Sequence, residues 1–205
     1  MEKIKVDIKK ELPSNYREAE WVCEQAFYNL FDEGCSEHYL LHLLRDDKSY
    51  IPELTRLAFI KDELVGGIYY SKAKVIDDKG VEHPVITFGP LFVKPEYQKH
   101  GIGALLMRET FKAAKEDGYS GIIIFGHPAY YPKFGFKDCS FYGIATETGD
   151  NFPPFMALKL NDGFDNIHGR YFDADLFKEI TIELGHEYDK NFPPLKRTAP
   201  KLKRG

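Results

Sequence analysis

The chain has 205 residues and a formal net charge of −4, which suits one domain with a sizeable core and argues against general nucleic-acid binding. No apolar run approaches the roughly 18 residues of a membrane-spanning helix, and the N-terminus lacks a signal-peptide apolar stretch. The three cysteines form no Cys-x-x-Cys pair, which argues against a zinc site or a disulfide framework. We expect a cytoplasmic protein with reduced thiols and no metal.

Apolar periodicity predicts the first elements. Residues 4–8 alternate apolar and charged side chains, as in a half-buried strand. Residues 16–31 carry apolar side chains at the spacing of a helix. The leucines of residues 40–44 predict a second helix, which ends near Asp47.

Three strands follow as a meander. Residues 54–60 and 64–75 have the composition of strands and are joined by a short polar turn. A second turn, from Asp77 to Gly80, leads into a third strand over residues 82–93. Strands joined by short turns pair antiparallel.

A strand–helix–strand unit comes next. The apolar run that ends at Val93 leads through a loop with Gly101 and Gly103 into a helix over residues 102–117, and residues 121–125 form a buried strand. Such a crossover makes its two strands parallel and is right-handed. The result is a mixed sheet with helices on its faces.

The glycine loop is the most informative motif. Glycines leave backbone N–H groups uncovered, and the following helix start carries unpaired N–H groups and a partial positive charge, so the loop suits a pyrophosphate. A dinucleotide-binding loop needs a third glycine where Leu106 stands, and a P-loop needs lysine where Ala104 stands. Both are disfavoured; glycines that serve only to turn the chain are a further alternative.

The pattern Gln98-x-x-Gly101-x-Gly103, after an apolar strand and before a helix, resembles the acetyl-CoA loop of the GNAT family of N-acetyltransferases. A second match is the segment Tyr131-Pro132-Lys133-Phe134-Gly135-Phe136, which is similar to the Tyr-x-x-x-Gly-Phe that often ends the family core. The resemblance covers about residues 64–160. It departs from the family at Gln98, where arginine is more common.

The resemblance implies an α/β fold, an α+β mixed sheet of mostly antiparallel strands with helices on both faces. It also implies a V-shaped splay between the fourth and fifth strands, near Gly89-Pro90, where a bulge is an alternative to a kinked edge strand. The cofactor implied is acetyl-CoA as co-substrate. The residues implied to bind it are Leu91, Phe92, Val93, Gln98, Lys99, His100, Gly101, Ile102, Gly103 and Ala104.

Acetyl transfer to an amine needs a neutral amine and a proton for the departing thiolate. The resemblance implies that Tyr131 is the general acid; simple packing is the alternative. His127 follows the fifth strand and is a candidate base because imidazole titrates near neutrality. Glu82, His83 and solvent are the other candidates for the base.

The predicted function is transfer of the acetyl group of acetyl-CoA to a primary amine of a small molecule or peptide, in a ternary complex. The alternatives are a non-catalytic CoA-binding module and transfer of a longer acyl group. We expect no membrane or nucleic-acid partner and allow a homodimer. Five residues of the first part of the chain have two interpretations: an acidic patch that receives the amine, or an ordinary solvated face. They are Glu33, Glu37, His38, Asp46 and Asp47.

Beyond residue 160 the resemblance fades. We therefore expect an acetyltransferase domain over residues 1–160 and a C-terminal extension over residues 161–205, packed on or near it. The extension is predicted to contain an extended segment, a helix over residues 173–191 and a basic tail. We expect that tail to be a frayed terminus.

Overall fold

The computed structural model describes residues 5–202. Among these residues no helix is both long and apolar enough to cross a bilayer. The strands are β1 (Asp7–Lys9), β2 (Arg56–Ile60), β3 (Glu63–Ile76), β4 (Glu82–Val93), β5 (Gly121–Phe125), β6 (Lys137–Asp138), β7 (Ile144–Ala145), β8 (Phe155–Lys159) and β9 (Gly169–Phe172). The α-helices are α1 (Tyr16–Phe27), α2 (Glu37–Leu44), α3 (Ile102–Glu116), α4 (Leu176–Glu179) and α5 (Ile182–Tyr188).

The chain forms two compact units, and β3, β4 and α3 each contribute to both. The first unit contains residues 5–69, 89–110 and 175–202, and the second contains residues 70–88 and 111–174. The boundary therefore lies within these long elements.

In the first unit the strand order is β1-β2-β3-β4, with antiparallel pairing of β1 with β2 and of β2 with β3. The predicted first strand is present, although Ile4 lies outside the described residues. Helices α1 and α2 bury their apolar faces against these strands. The shared core consists of Ala19, Val22, Cys23, Leu40, Leu41, Leu44, Leu57, Phe59, Leu64, Tyr69, Phe92 and Leu176.

In the second unit β4 pairs in parallel with β5 at Ile86 and Ile122, as the predicted crossover requires. The other neighbour of β5 is β8, which pairs with it antiparallel along its whole length. The mixed, mostly antiparallel sheet predicted from the sequence is confirmed, and in the strand order β4 lies between β3 and β5. The Gly89-Pro90 peptide bond is cis.

Helix α1 ends at Phe27, four residues before the predicted end. Asn29 adopts a left-handed conformation with φ of 57°, and its side-chain oxygen accepts from the N–H of Gly34 at 2.9 Å. A side chain that bonds nearby backbone competes with the helix in this way.

The C-terminal part differs most from prediction. The single helix predicted over residues 173–191 is two helices, because Ile180 is extended and the Thr181 side chain caps α5. The expected frayed tail is instead hydrogen-bonded up to residue 202. The N–H of Thr198 donates to the side chain of Asn29 at 3.0 Å, and the N–H of Leu202 donates to the Leu30 carbonyl at 2.8 Å.

All three cysteines are free and buried. Burial raises the pKa of the thiols of Cys23, Cys35 and Cys139. Each therefore stays protonated and chemically quiet in the folded protein.

Candidate active site

The loop before α3 has the conformation that its glycine predicts. After β4, Pro95–Tyr97 form a 3₁₀ turn, and the next residues alternate in handedness: Lys99 has φ of 63° and Gly101 has φ of 84°. A Cβ atom at Gly101 would meet nothing within 4 Å. Glycine is therefore favoured there by backbone conformation, and the space beside it is open.

Side chains inside the first unit fix this loop. The Gln98 Nε2 group donates to the carbonyl of Val93 at 3.0 Å, and a ring nitrogen of His100 lies 2.8 Å from the Gln98 carbonyl. Glu63 of β3 accepts from Lys94 at 2.5 Å and from the Tyr97 hydroxyl at 2.6 Å. The predicted cofactor residue Gln98 thus holds the backbone of the loop in shape.

The loop leads directly into the positive end of α3. The N–H of Leu105 donates to the Gly101 carbonyl at 3.0 Å. Helix geometry consequently leaves the N–H groups of Ile102, Gly103 and Ala104 without partners inside the helix. With the exposed Lys99 nearby in the chain, this segment is suited to an anion.

The end of β4 packs closely on β3. A Cβ atom at Gly66 would lie 2.7 Å from the carbonyl oxygen of Phe92, and one at Gly67 would lie 2.7 Å from its ring. Phe92 is buried, whereas Leu91 and Val93 are partly exposed. Of these three predicted cofactor residues, Phe92 therefore offers a ligand only its backbone.

In the second unit Tyr131 begins a 3₁₀ turn, Tyr131–Phe134. Its ring packs against Phe88 at 6.0 Å and Phe136 at 5.6 Å between centroids. Burial, with a smaller effect of the Tyr130 phenol, raises the pKa of Tyr131 to about 12. The phenol is therefore protonated at neutral pH and is a hydrogen-bond donor.

Gly126, which follows β5, leaves room for the ring of Tyr131 because it has no side chain. A Cβ atom at Gly126 would lie 2.3 Å and 2.5 Å from two ring carbons of Tyr131 and 3.0 Å from Ile124. Since Phe88 and Phe136 contact the same ring, it has little room to move. The sequence did not reveal that Gly126 and Phe88 position Tyr131; the only signal was that Gly126 follows a strand and that Phe88 directly precedes Gly89-Pro90.

The candidate bases occupy different surroundings. His127 is exposed, and its Nδ1 accepts from the N–H of Ala129 at 3.2 Å, so in the neutral ring Nε2 carries the proton. Glu82 pairs with Lys74, and His83 lies 3.1 Å from Asp77 in the β3–β4 turn.

The acidic patch, one of the two interpretations of these five residues, does not form as one surface. His38 is fully buried, with its Nε2 3.1 Å from Asp189. The carboxylate of Glu37 accepts from the N–H of Ser36 at 3.1 Å, and Asp47 accepts from the N–H of Ser49 at 2.7 Å. At these three positions the side chains stabilise local structure instead.

Comparisons with known proteins agree with this fold. The sequence model of the acetyltransferase (GNAT) family matches residues 16–136, more than half of the chain. YjhQ of Escherichia coli K12, named as an uncharacterized N-acetyltransferase, is 32% identical over 102 residues, which are 49% of this chain and 55% of YjhQ. The match thus spans little more than half of that relative. YhbS of the same organism, named likewise, is 27% identical over 137 residues, 67% of this chain and 78% of YhbS.

Two solved acetyltransferase structures have a similar fold. The crystal structure of YhbS from Escherichia coli in complex with CoA has a TM-score of 0.74 at 22% identity, covering 85% of this chain and 93% of that one. A GNAT family acetyltransferase from Brucella melitensis in complex with acetyl-CoA has a TM-score of 0.68 at 26% identity, covering 85% and 99%. On this fold and the family match, the chain belongs to the GNAT family of acetyltransferases.

Proposed function

We propose that this protein transfers the acetyl group of acetyl-CoA directly to a primary amine of a small molecule or peptide. The observation that carries the proposal is the open, left-handed Gly101 at the start of α3. Support comes from YhbS and the Brucella melitensis acetyltransferase, which were solved with CoA and acetyl-CoA. We also infer that the protein works in the cytoplasm.

The diphosphate of the carrier is proposed to bind the backbone N–H groups of residues 101–104. These groups point along the helix start, where the partial positive charge complements a diphosphate. Gln98 and His100 stabilise the loop, and Lys99 adds a positive charge. The backbone of Leu91, Phe92 and Val93 is proposed to pair with the amides of the pantetheine arm, as an added strand would.

In the reaction the amine nitrogen attacks the thioester carbonyl carbon, and the carbon–sulfur bond of the tetrahedral intermediate then breaks. Tyr131 is proposed to donate to the departing sulfur as general acid, the role that the family resemblance assigns to it. A pKa of about 12 keeps its phenol protonated throughout the neutral range. The stabilisation begins as a hydrogen bond, because this pKa exceeds that of an ordinary thiol, about 8.5.

Because Glu82 pairs with Lys74 and His83 lies beside Asp77, the proton lost by the amine is proposed to go to His127 or to solvent. His127 must release the Ala129 N–H to expose a basic lone pair, since its Nδ1 is already an acceptor. His127→Gln separates the two: loss of the acidic limb of the kcat/KM profile identifies His127 as the base, and an unchanged profile identifies solvent.

The test of cofactor binding is calorimetry with CoA. Gly101→Asp places a carboxylate beside the proposed diphosphate site and is expected to abolish binding. Gly118→Asp is the matched control, because Gly118 has the same conformation (φ 85°) and equally open space but lies after α3 at its C-terminal end. Equal affinity of the two variants would refute the assignment of the loop.

The test of catalysis is release of free CoA from acetyl-CoA with a panel of amines. Turnover with a primary amine supports the transferase, whereas CoA binding without turnover on any amine supports a non-catalytic CoA-binding module. Tyr131→Phe is expected to lower kcat about 100-fold with unchanged acetyl-CoA affinity. Unchanged kcat would remove Tyr131 from the mechanism.

A further inference from the structure

A buried cluster in the first unit has no role in the proposed reaction. It joins Glu24 of α1, His38 of α2 and Asp189, which follows α5. Glu24 and His38 are 1% and 0% exposed. One ligand atom of each residue lies within 4.8 Å of the other two.

Each of the three side chains also has one buried atom without a hydrogen-bond partner. Glu24 Oε2, His38 Nε2 and Asp189 Oδ1 are all buried and unpartnered. His38 Nε2 and Asp189 Oδ1 are 3.1 Å apart, yet they do not form a well-aligned hydrogen bond. Burying polar atoms without partners is unfavourable, so three such atoms in one place indicate a missing positive charge.

Cys35 indicates which nitrogen of His38 holds the proton. The Cys35 thiol donates to the carbonyl of Glu24 at 3.8 Å. With the thiol proton directed elsewhere, the sulfur is an acceptor for His38 Nδ1, 3.5 Å away. The neutral ring then carries its proton on Nδ1 and presents a lone pair at Nε2.

A metal-binding histidine has this arrangement, since it donates its other ring N–H to a neighbouring acceptor. Asp189 is held in a comparable way. Its second oxygen, Oδ2, accepts from Arg197 at 3.0 Å, which leaves Oδ1 for the cluster. The Tyr188 and Phe192 rings lie 5.4 Å and 5.8 Å from the ring of His38 and limit access of water.

We propose that Glu24, His38 and Asp189 bind one divalent transition-metal ion, with Zn²⁺ the best match to the ligands. One imidazole nitrogen and two carboxylate oxygens are ligands that zinc accepts, with a water at the fourth position. Two carboxylates also supply the charge that a divalent ion needs. Zinc bonds of about 2.1 Å require the side chains to contract on the ion.

The bound ion would link three segments of the chain. It connects helices from the first 44 residues to the segment after α5, which are distant in sequence. Cysteine spacing gave no sign of it, because its ligands are a glutamate, a histidine and an aspartate from three separate segments.

The alternative to a metal ion is protonation of the three side chains. Two protons, one on Glu24 and one shared by His38 and Asp189, would also satisfy the cluster. The two occupants differ in a measurable way, because a metal must displace these protons and its affinity then rises with pH.

The experiment is a Zn²⁺ titration of the full chain after EDTA treatment and dialysis, followed by calorimetry and elemental analysis. One Zn²⁺ per chain is expected, with proton release and a rise in Tm of about 5–10 °C at a hundredfold excess over Kd. Glu24→Gln and His38→Gln are expected to weaken binding at least about 100-fold, and Cys35→Ala about 10–100-fold.

His42→Gln is the matched control. It is the same substitution one turn along α2, where His42 is half-exposed and pairs with Glu20, and it is expected to keep full affinity. Glu24→Gln also guards against unfolding, because glutamine keeps the size of the side chain and carries no charge, and its metal-free Tm is expected to equal or exceed that of the wild type. The absence of stoichiometric Zn²⁺ on the wild type, or equal binding by wild type and Glu24→Gln, would overturn the proposal.

Discussion

Replacing Gly126 by alanine tests whether the position of Tyr131 matters for turnover. The added methyl group would lie 2.3 Å from a ring carbon of Tyr131, whereas ordinary carbon contacts are about 3.5–4.0 Å. The ring must therefore move by more than about 1 Å, against Phe88 and Phe136, which contact it. Overpacking of this kind costs about 1–3 kcal/mol of stability.

Displacing a catalytic group by about 1 Å can lower the rate about 100-fold. We therefore expect Gly126→Ala to lower kcat about 100-fold while CoA affinity changes little. The assay is CoA release at saturating acetyl-CoA and amine, at a temperature well below the Tm of the variant. Urea denaturation of the same preparation gives the stability loss.

Gly118→Ala is the matched control. Its left-handed conformation makes alanine unfavourable by about 1–2 kcal/mol, but its Cβ meets nothing within 4 Å. The control is therefore destabilised without moving Tyr131, and its kcat is expected to stay at the wild-type value. Wild-type kcat in Gly126→Ala, with the stability loss confirmed, would refute the assignment of Tyr131.

Two further predictions concern the first unit. Gly67→Ala is expected to lower the free energy of unfolding by about 1–3 kcal/mol, because its Cβ would lie 2.7 Å from the ring of Phe92 and 2.9 Å from Leu57; a wild-type urea midpoint would contradict this. Burial, followed by the charge of Asp189, raises the pKa of Glu24 to about 8, above its unfolded value of about 4.3. In EDTA the free energy of unfolding should therefore fall between about pH 5 and 8 by up to a few kcal/mol, and Glu24→Gln should flatten this fall; parallel profiles would disprove it.

The strands and the helix of the crossover were predictable because their signals are local. The apolar run that ends at Val93 predicts β4, and the Gly101 loop followed by a periodic helix predicts the start of α3. The Tyr131 turn was predictable for another reason, its resemblance to a family motif. In each case neighbouring residues in the sequence carry the information.

Features that depend on distant residues were not predictable. Helix α1 stops early because Asn29 bonds the chain near Gly34 and near Thr198, almost 170 positions further on. His38 has the sequence context of an exposed helix face, yet Asp189 covers it. A single sequence does not show which segments meet.

The burial of every cysteine has a practical consequence. Thiol-exchange dyes react with thiolates, and Cys23, Cys35 and Cys139 are both inaccessible and protonated. In a colorimetric reading of liberated CoA, the folded enzyme therefore adds no background of its own. A slow increase in colour in a blank that contains only the enzyme would instead report unfolding. It would end when three thiols per chain have reacted.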